Sequence, residues 1–326
     1  MISYIVKRFA IAIPLLFIIS FITFLFINLT PGNYFDRLRL NPQISEETIQ
    51  KYVKLYQLDK PVVVQYFAWL RRLLHLDLGF SFTYNIPVTK VISSRIFNTL
   101  LLTISSFLFT WMVAIPLGIM AAVKVDRFWD KFISFLCYCF LSLPTFFLAF
   151  LLLYFSFLTR ILPLGGMVSP DFEEFNLWGK IFDLLRHLII PTLVISLGAI
   201  ASLVRITRGN LLEVLRTNYI LALRARGISE KRVIYIHALR SAINPLITIF
   251  GYQISGLLSG AALTEIICNW PGLGSLMLQA VRSQDLYLVM GTMLISSLML
   301  IVGNLIADIL LGISDPRIRL SGEKIG

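Results

Sequence analysis

The sequence predicts an all-α integral membrane protein that crosses the bilayer six times. Three observations carry that prediction. The first is composition: of 326 residues, 57% are hydrophobic and 14% charged, whereas a soluble domain is charged at about 25% of positions. The second is a set of six uncharged apolar runs, at 9–29, 99–123, 132–159, 188–204, 242–264 and 286–307, each long enough to span a hydrocarbon core that takes about 20 helical residues. The third is the placement of basic residues. With the N-terminus inside, the pieces 1–8, 124–131, 205–241 and 308–326 hold 16 Lys and Arg. The outer pieces 30–98, 160–187 and 265–285 hold 13, nine of them in one long loop that counts little toward orientation. Both termini are therefore expected in the cytoplasm, in a multi-pass protein of the cytoplasmic membrane.

The formal charge of +11 is explained by loops beside apolar spans rather than by nucleic acid. Cys137, Cys139 and Cys268 have no metal-type spacing, and two of them lie inside an apolar run, which argues against a disulfide framework.

Taken in order, the first run follows Lys7 and Arg8. Its length exceeds a secretory signal core and no small-x-small site follows it, so it is read as a retained anchor. Region 30–98 is too patterned for a connector. Leu58-Asp59-Lys60-Pro61 reads as a turn, 62–76 has helical spacing with Tyr66, Trp69 and Leu73 as an apolar stripe, and 77–81 is a break. Packing on the membrane surface and docking of an external partner are both open for this cap. The third run is over-long and is expected to tilt or emerge at one end; the fourth is the shortest. Loop 160–186 carries Asp171, Glu173 and Glu174 and reads as solvated.

The longest basic segment is 217–244. Asn218 to Arg226 reads as a short helix with Thr217 as N-cap, ended at Gly227 in a left-handed cap. Ser229 then caps a second helix, 230–240, with Glu230 in its first turn. Two short helices hinged at a glycine and studded with arginine form either a solvated basic loop or a docking surface. The fifth run contains Gly256 and Gly260 in a small-x3-small pattern, with Ser255 and Ser259 alongside, a face for close helix packing. Glu265 and Asp308 lie at span ends, where an acid either anchors the helix or serves the pathway.

Certain motifs are absent. No Gly-x4-Gly-Lys-Ser/Thr loop, His-Glu-x2-His or Gly-x-Ser-x-Gly occurs, and His75, His187 and His237 are far apart. The sequence therefore predicts no catalytic residue, metal ligand or cofactor site of its own. The halves carry no evident repeat or paired broken helices, which weakens a self-powered secondary transporter or channel without removing it.

The basic segment resembles the cytoplasmic loop of ABC-importer permeases, Glu-Ala-Ala-x3-Gly-x9-Ile-x-Leu-Pro. Gly227 and Leu239 take the glycine and leucine places, while Leu221 stands for the glutamate and Arg240 for the proline. Those departures are similar to the dipeptide, oligopeptide and nickel branch, matched here by Ala225-Arg226-Gly227 and by His237-Ala238-Leu239-Arg240-Ser241-Ala242 with Pro245 following. Leu221 and Leu223 depart even from that branch. Pro31-Gly32, Asp59-Lys60-Pro61, Gln65-Tyr66, Asp77-Leu78-Gly79-Phe80-Ser81, Glu265 with Trp270-Pro271-Gly272-Leu273-Gly274, Asp285, and Asp315-Pro316-Arg317-Ile318-Arg319 extend the resemblance nearly end to end. His75-Leu76 replaces the usual glycine before Asp77, and Gln284 the usual arginine. The long outer region resembles the first of the two permease subunits.

The resemblance implies a type I ABC-importer permease (MetI-like) fold with an extracytoplasmic insertion after helix 1. The implied divisions are 1–29 as the first helix, 30–98 as the insertion, 99–312 as a five-helix core containing the coupling loop 205–241, and 313–326 as the tail. It implies a heterodimer with a second homologous permease, two ABC ATPase subunits that carry ATP-Mg, and an extracytoplasmic solute-binding protein. It implies that Leu221, Ala222, Arg224, Ala225, Arg226, Gly227, Ser229, His237, Leu239 and Arg240 serve the ATPase contact. Glu265, Trp270, Pro271, Gly272, Gly274 and Asp285 become external loop or gate candidates. Di- or oligopeptides are the expected cargo, with nickel complexes or oligosaccharides as alternatives.

Overall fold

The structure, a computed structural model, describes residues 2–30, 39, 45–55, 57–256 and 261–314. Among these, four helices are long and apolar enough to cross a membrane, and two bent helix pairs bring the number to as many as six. The chain divides into two compact units, Met1–Thr99 with Pro271–Ile301, and Leu100–Trp270 with Val302–Gly326.

In the first unit, α1 (Ile2–Leu29) is followed by α2 (Glu46–Leu55) and α3 (Val62–Leu73). The Gln65 side-chain amide donates to the carbonyls of Leu58 and Lys60, at 3.1 and 2.8 Å, and so closes the turn that precedes α3. The expected stripe is real: Tyr66 and Trp69 are buried. Tyr66 meets Phe21 and Phe24 of α1 edge-on, with centroids at 5.2 and 5.5 Å, and its hydroxyl lies 2.9 Å from that of Ser20. The helix stops at Leu73, three residues before the expected end, and a turn carries Leu76 at φ +59°. A two-residue antiparallel hairpin follows, β1 (Phe80–Ser81) with β2 (Ile86–Pro87), paired Phe80 to Pro87 and Ser81 to Ile86. The start of α4 (Val88–Val123), all of α13 (Leu273–Ser283) and the start of α14 (Leu286–Ser314) complete this unit. Gly291 is required here because a Cβ would sit 2.5 Å from Val88 Cγ1.

In the second unit the over-long third run does not tilt as one helix. It is two helices, α5 (Phe128–Ser142) and α6 (Thr145–Thr159), bent by 106°. Pro144 lacks an amide hydrogen and forces Leu143 out of the helical region, to φ −91° and ψ 128°. The fourth run, expected to be the shortest, is the core of the longest helix, α7 (Leu177–Leu215). Its polar ends stay helical because each finds a partner. Asn176 caps the Gly179 amide at 2.8 Å, Asp183 accepts from the Ser169 amide at 2.8 Å, and Arg186 donates to the Ile161 carbonyl at 2.6 Å. Loop 160–186 is correspondingly shorter than expected and contains a 3₁₀ turn at Phe172–Glu174.

The fifth run is entered by a helical stretch of α9 (Glu230–Arg232), a π-helical segment (Val233–Ala238) and α10 (Leu239–Ala242), which bends by 49° into α11 (Asn244–Gly256). The expected second helix at 230–240 is present, with π geometry in its middle that the sequence did not announce. A short α12 (Ala262–Ile267) precedes Trp270. Pro31-Gly32, Gly260 and the tail from Asp315 lie outside the described residues, as do the surroundings of Gly256 and the side chain of Asp308.

Candidate functional site

The basic segment folds as its residues dictate. It begins with α8 (Asn218–Ala225), whose N-cap position is Thr217 in extended backbone; the Thr217 hydroxyl turns back to the Val214 carbonyl at 2.7 Å rather than capping. Gly227 sits at φ +77°. The Gly227 amide donates to the Arg224 carbonyl at 2.9 Å and the Ile228 amide to the Leu223 carbonyl at 3.3 Å. That pair of bonds, with Leu223 and Ile228 in one apolar cluster, is the Schellman ending that a left-handed glycine permits. Ser229 occupies the next N-cap position without a side-chain cap bond.

One face of α8 is anchored. Ile220 is fully buried with Leu211 of α7 and with Val233, Ala238 and Ala242 of the following stretch. Burying one such isoleucine contributes about 1.5–3 kcal/mol. Tyr219 leans on His237, hydroxyl to Nδ1 at 3.2 Å, which ties α8 to the π segment. The opposite face is open: Leu221, Ala222, Arg224, Ala225, Arg226 and Gly227 are all exposed.

The two arginines differ. Arg224 forks onto Glu230, Nε to Oε2 at 3.0 Å and Nη2 to Oε1 at 2.5 Å, and clamps the glycine turn from outside. This guanidinium holds the Glu230 carboxyl below its usual range. Arg226 has no ion-pair partner among the described residues. Leu239 is partly buried, and Arg240 and Ser229 are exposed. Tyr235 and Ile236 are more than half exposed beside this face. Sequence reasoning passed over both; their signal was apolar side chains on the side opposite buried Val233 and Ala238.

At the root of the segment, Arg208 of α7 forks onto Asp130 of α5, Nε to Oδ1 at 2.6 Å and Nη2 to Oδ2 at 2.8 Å. The Asp126 amide adds a bond to Asp130 at 2.9 Å. This pair was also missed, since 78 positions separate its members and neither carries a local pattern.

The outer candidates divide between the two units. In the second, Glu265 is fully buried, and the Trp270 amide donates to its carbonyl at 2.7 Å. In the first, the Pro271 carbonyl accepts from the Asn98 side chain at 2.8 Å, the Leu273 amide donates to the Thr99 hydroxyl at 2.8 Å, and the Gly272 amide donates to the Ser275 hydroxyl at 3.1 Å. Gly274 lies in the first turn of α13. Asp285, fully buried, takes the Ser81 hydroxyl at 2.7 Å and the Thr83 amide at 2.9 Å, and so fastens the hairpin to the start of α14. Arg72 of α3 reaches the Tyr287 hydroxyl at 3.2 Å.

The described residues thus give a helical protein with up to six apolar spans and, on a basic loop, a short helix buried on one face and exposed on the other. Comparison with known proteins supplies the family. Residues 114–320 match the binding-protein-dependent transport system inner membrane component, and residues 1–103 match the N-terminal membrane component of the same systems. The chain is 36% identical over 319 residues to the oligopeptide transport system permease protein AppB of Bacillus subtilis, covering 98% of this chain and 99% of that one. It is 34% identical over 336 aligned positions to the dipeptide transport system permease protein DppB of Escherichia coli K12, at 98% and 99% coverage. A putative peptide transport system permease protein of Brucella abortus is 37% identical over 320 residues, again at 98% and 99%. The chain belongs to the family of binding-protein-dependent transport system inner membrane components.

Proposed function

We propose that this chain is the first permease subunit of an ATP-driven importer of short peptides and supplies half of its translocation pathway. The observation that carries the reading is the build of α8, in which Ile220 is sunk into the core while Leu221, Ala222, Ala225 and Arg226 stand free. In this reading α8 seats in a groove of a separate ATPase. Small Ala222 and Ala225 allow close approach, Leu221 supplies apolar contact, and Arg226 meets a carboxylate. Arg224 rigidifies the turn through Glu230, and His237, Leu239 and Arg240 support the segment from behind.

Closure of the ATPases on ATP would push α8, and its anchorage to Leu211 passes that push to α7. At 39 residues that helix is roughly 58 Å long, a lever reaching across the bilayer. Coupling of this kind requires two states of the element that the distant ligand biases differently.

The remaining parts follow from the same reading. Both termini face the cytoplasm, a second homologous permease completes the pathway, and two ATPase subunits sit beneath. An external binding protein delivers cargo to the outer regions 30–98 and 265–285, and within its own unit Asp285 fastens the hairpin to the start of α14. Peptide cargo is supported by what the relatives are named for, oligopeptide and dipeptide transport.

The test is a pull-down of tagged protein from mild detergent, with identification of co-purifying chains and a peptide-uptake assay after reconstitution. A second permease and nucleotide-binding subunits in the eluate, with uptake that requires ATP, are expected. A chain that purifies alone and moves solute without ATP would instead be a carrier or channel.

A further inference from the structure

A polar groove of about 460 Å³ opens between α5 and α7. One wall is the face of α5 carrying Ser134, Tyr138 and Leu141. The other is the face of α7 carrying Ser202, Arg205 and Arg208. These spacings, three or four residues apart, put each set on a single helical face.

The charge balance of the groove is uneven. Arg208 is neutralised by Asp130 through the two-point pair. Arg205, one helical turn deeper along α7, has no ion-pair partner among the described residues. Its guanidinium instead lies over the Tyr138 ring, 4.9 Å from the centroid. A cation fixed on an aromatic face, with Ser202 also lining the groove while the Ser134 hydroxyl is turned to Asp130, presents donors toward an anion that the described residues do not themselves provide.

The surroundings indicate where that anion resides. The flank of α5 beside the groove is exposed and aromatic: Phe128, Trp129, Phe132 and Phe135. Phe128 and Phe132 stack with centroids at 5.9 Å, and the Lys124 ammonium sits 5.7 Å from the Trp129 centroid. Tryptophan and tyrosine, here Trp129 and the groove's own Tyr138, gather at the headgroup level of a bilayer, and basic pockets between transmembrane helices on the cytoplasmic side take lipid headgroups.

We infer that the groove between α5 and α7 binds the phosphodiester headgroup of an acidic phospholipid of the inner leaflet, with Arg205, held by Tyr138, as its anion-recognising residue. The inference rests on the proposed orientation, with the start of α5 at the cytoplasmic face, and not on coupling to an ATPase. A chain that purified without ATPases yet retained this lipid would leave it standing.

The test quantifies phosphatidylglycerol and phosphatidylethanolamine co-purifying with the full transporter from bacterial membranes, for wild type, R205Q and K131Q. Lys131 is an exposed basic residue outside the groove. R205Q should retain roughly fivefold less phosphatidylglycerol, the value of one basic side chain at an anionic surface, with phosphatidylethanolamine unchanged. K131Q should behave as wild type. A melting temperature of R205Q equal to wild type confirms that it folds; if it is lowered, R205K serves in its place and should retain more phosphatidylglycerol than R205Q.

Equal retention in wild type and R205Q overturns the inference. So does an equal loss in R205Q and K131Q, which would mark diffuse attraction. Release of the lipid from wild type by an excess of short peptide also overturns it, in favour of a subsite for a substrate carboxylate.

Discussion

Gly227 gives the sharpest test of how the basic segment works. At φ +77° it ends α8, yet a Cβ there would meet no heavy atom within 4 Å. The cost of substitution is therefore backbone strain and not crowding. A non-glycine residue in this region costs about 1–2 kcal/mol, more when β-branched. The alternative, letting the turn rearrange, gives up the Gly227 and Ile228 amide bonds, worth about 0.5–1.5 kcal/mol each, together with the packing of Ile228. Both routes lead to about 2 kcal/mol, which depopulates the native turn by roughly thirtyfold against its competitors.

Asparagine tolerates left-handed backbone far better than valine. Gly227→Val should therefore insert into the membrane at wild-type levels while ATP-dependent peptide uptake falls below about a tenth, and Gly227→Asn should keep most of its uptake. Membrane vesicles with immunoblot quantification measure both. Wild-type uptake in the valine variant, or equal loss in both variants, would refute the argument.

Other predictions follow from buried polar contacts. Arg208→Gln strands the Asp130 carboxylate, which is 3% exposed, and should cost about 3 kcal/mol of stability. Asp130→Asn should cost less, because Arg208 retains access to water; thermal melts of the purified complex decide, and a larger loss in Asp130→Asn would contradict the reading. Asp285→Ala leaves the buried Ser81 hydroxyl without its carboxylate and should cost about 1.5–3 kcal/mol. Limited proteolysis should then cut within 80–87 faster than in wild type, and an unchanged rate would mean that the hairpin is held by other contacts.

What the sequence revealed depended on whether a signal was local. Gly227 was legible because a glycine between a helix-forming stretch and a capping serine has one common use. The stripe of Tyr66 and Trp69 was legible because helical periodicity survives in a short amphipathic helix. The break at Pro144 was masked by unbroken hydrophobicity: composition counted one run where a proline had forced Leu143 out of the helix. The length of α7 was masked for the opposite reason. Asp183, Arg186 and Arg208 look like loop residues in sequence, and only Ser169, the Ile161 carbonyl and Asp130, brought close by folding, allow them to remain helical. In the basic segment, the buried Ile220 and the Arg224–Glu230 clamp emerged only once the glycine turn had folded the five intervening positions back on themselves.

If α8 is the surface on which an ATPase acts, site-directed crosslinking from that surface captures the ATPase. With Cys137, Cys139 and Cys268 replaced, Ala225→Cys carries a short bifunctional reagent in the assembled transporter, and Thr83→Cys on the exposed outer hairpin serves as control. The account predicts an adduct between this chain and a nucleotide-binding subunit from position 225, with a yield that changes when ATP is added, and none from position 83. No adduct from position 225 in a transporter that still imports peptide would contradict it.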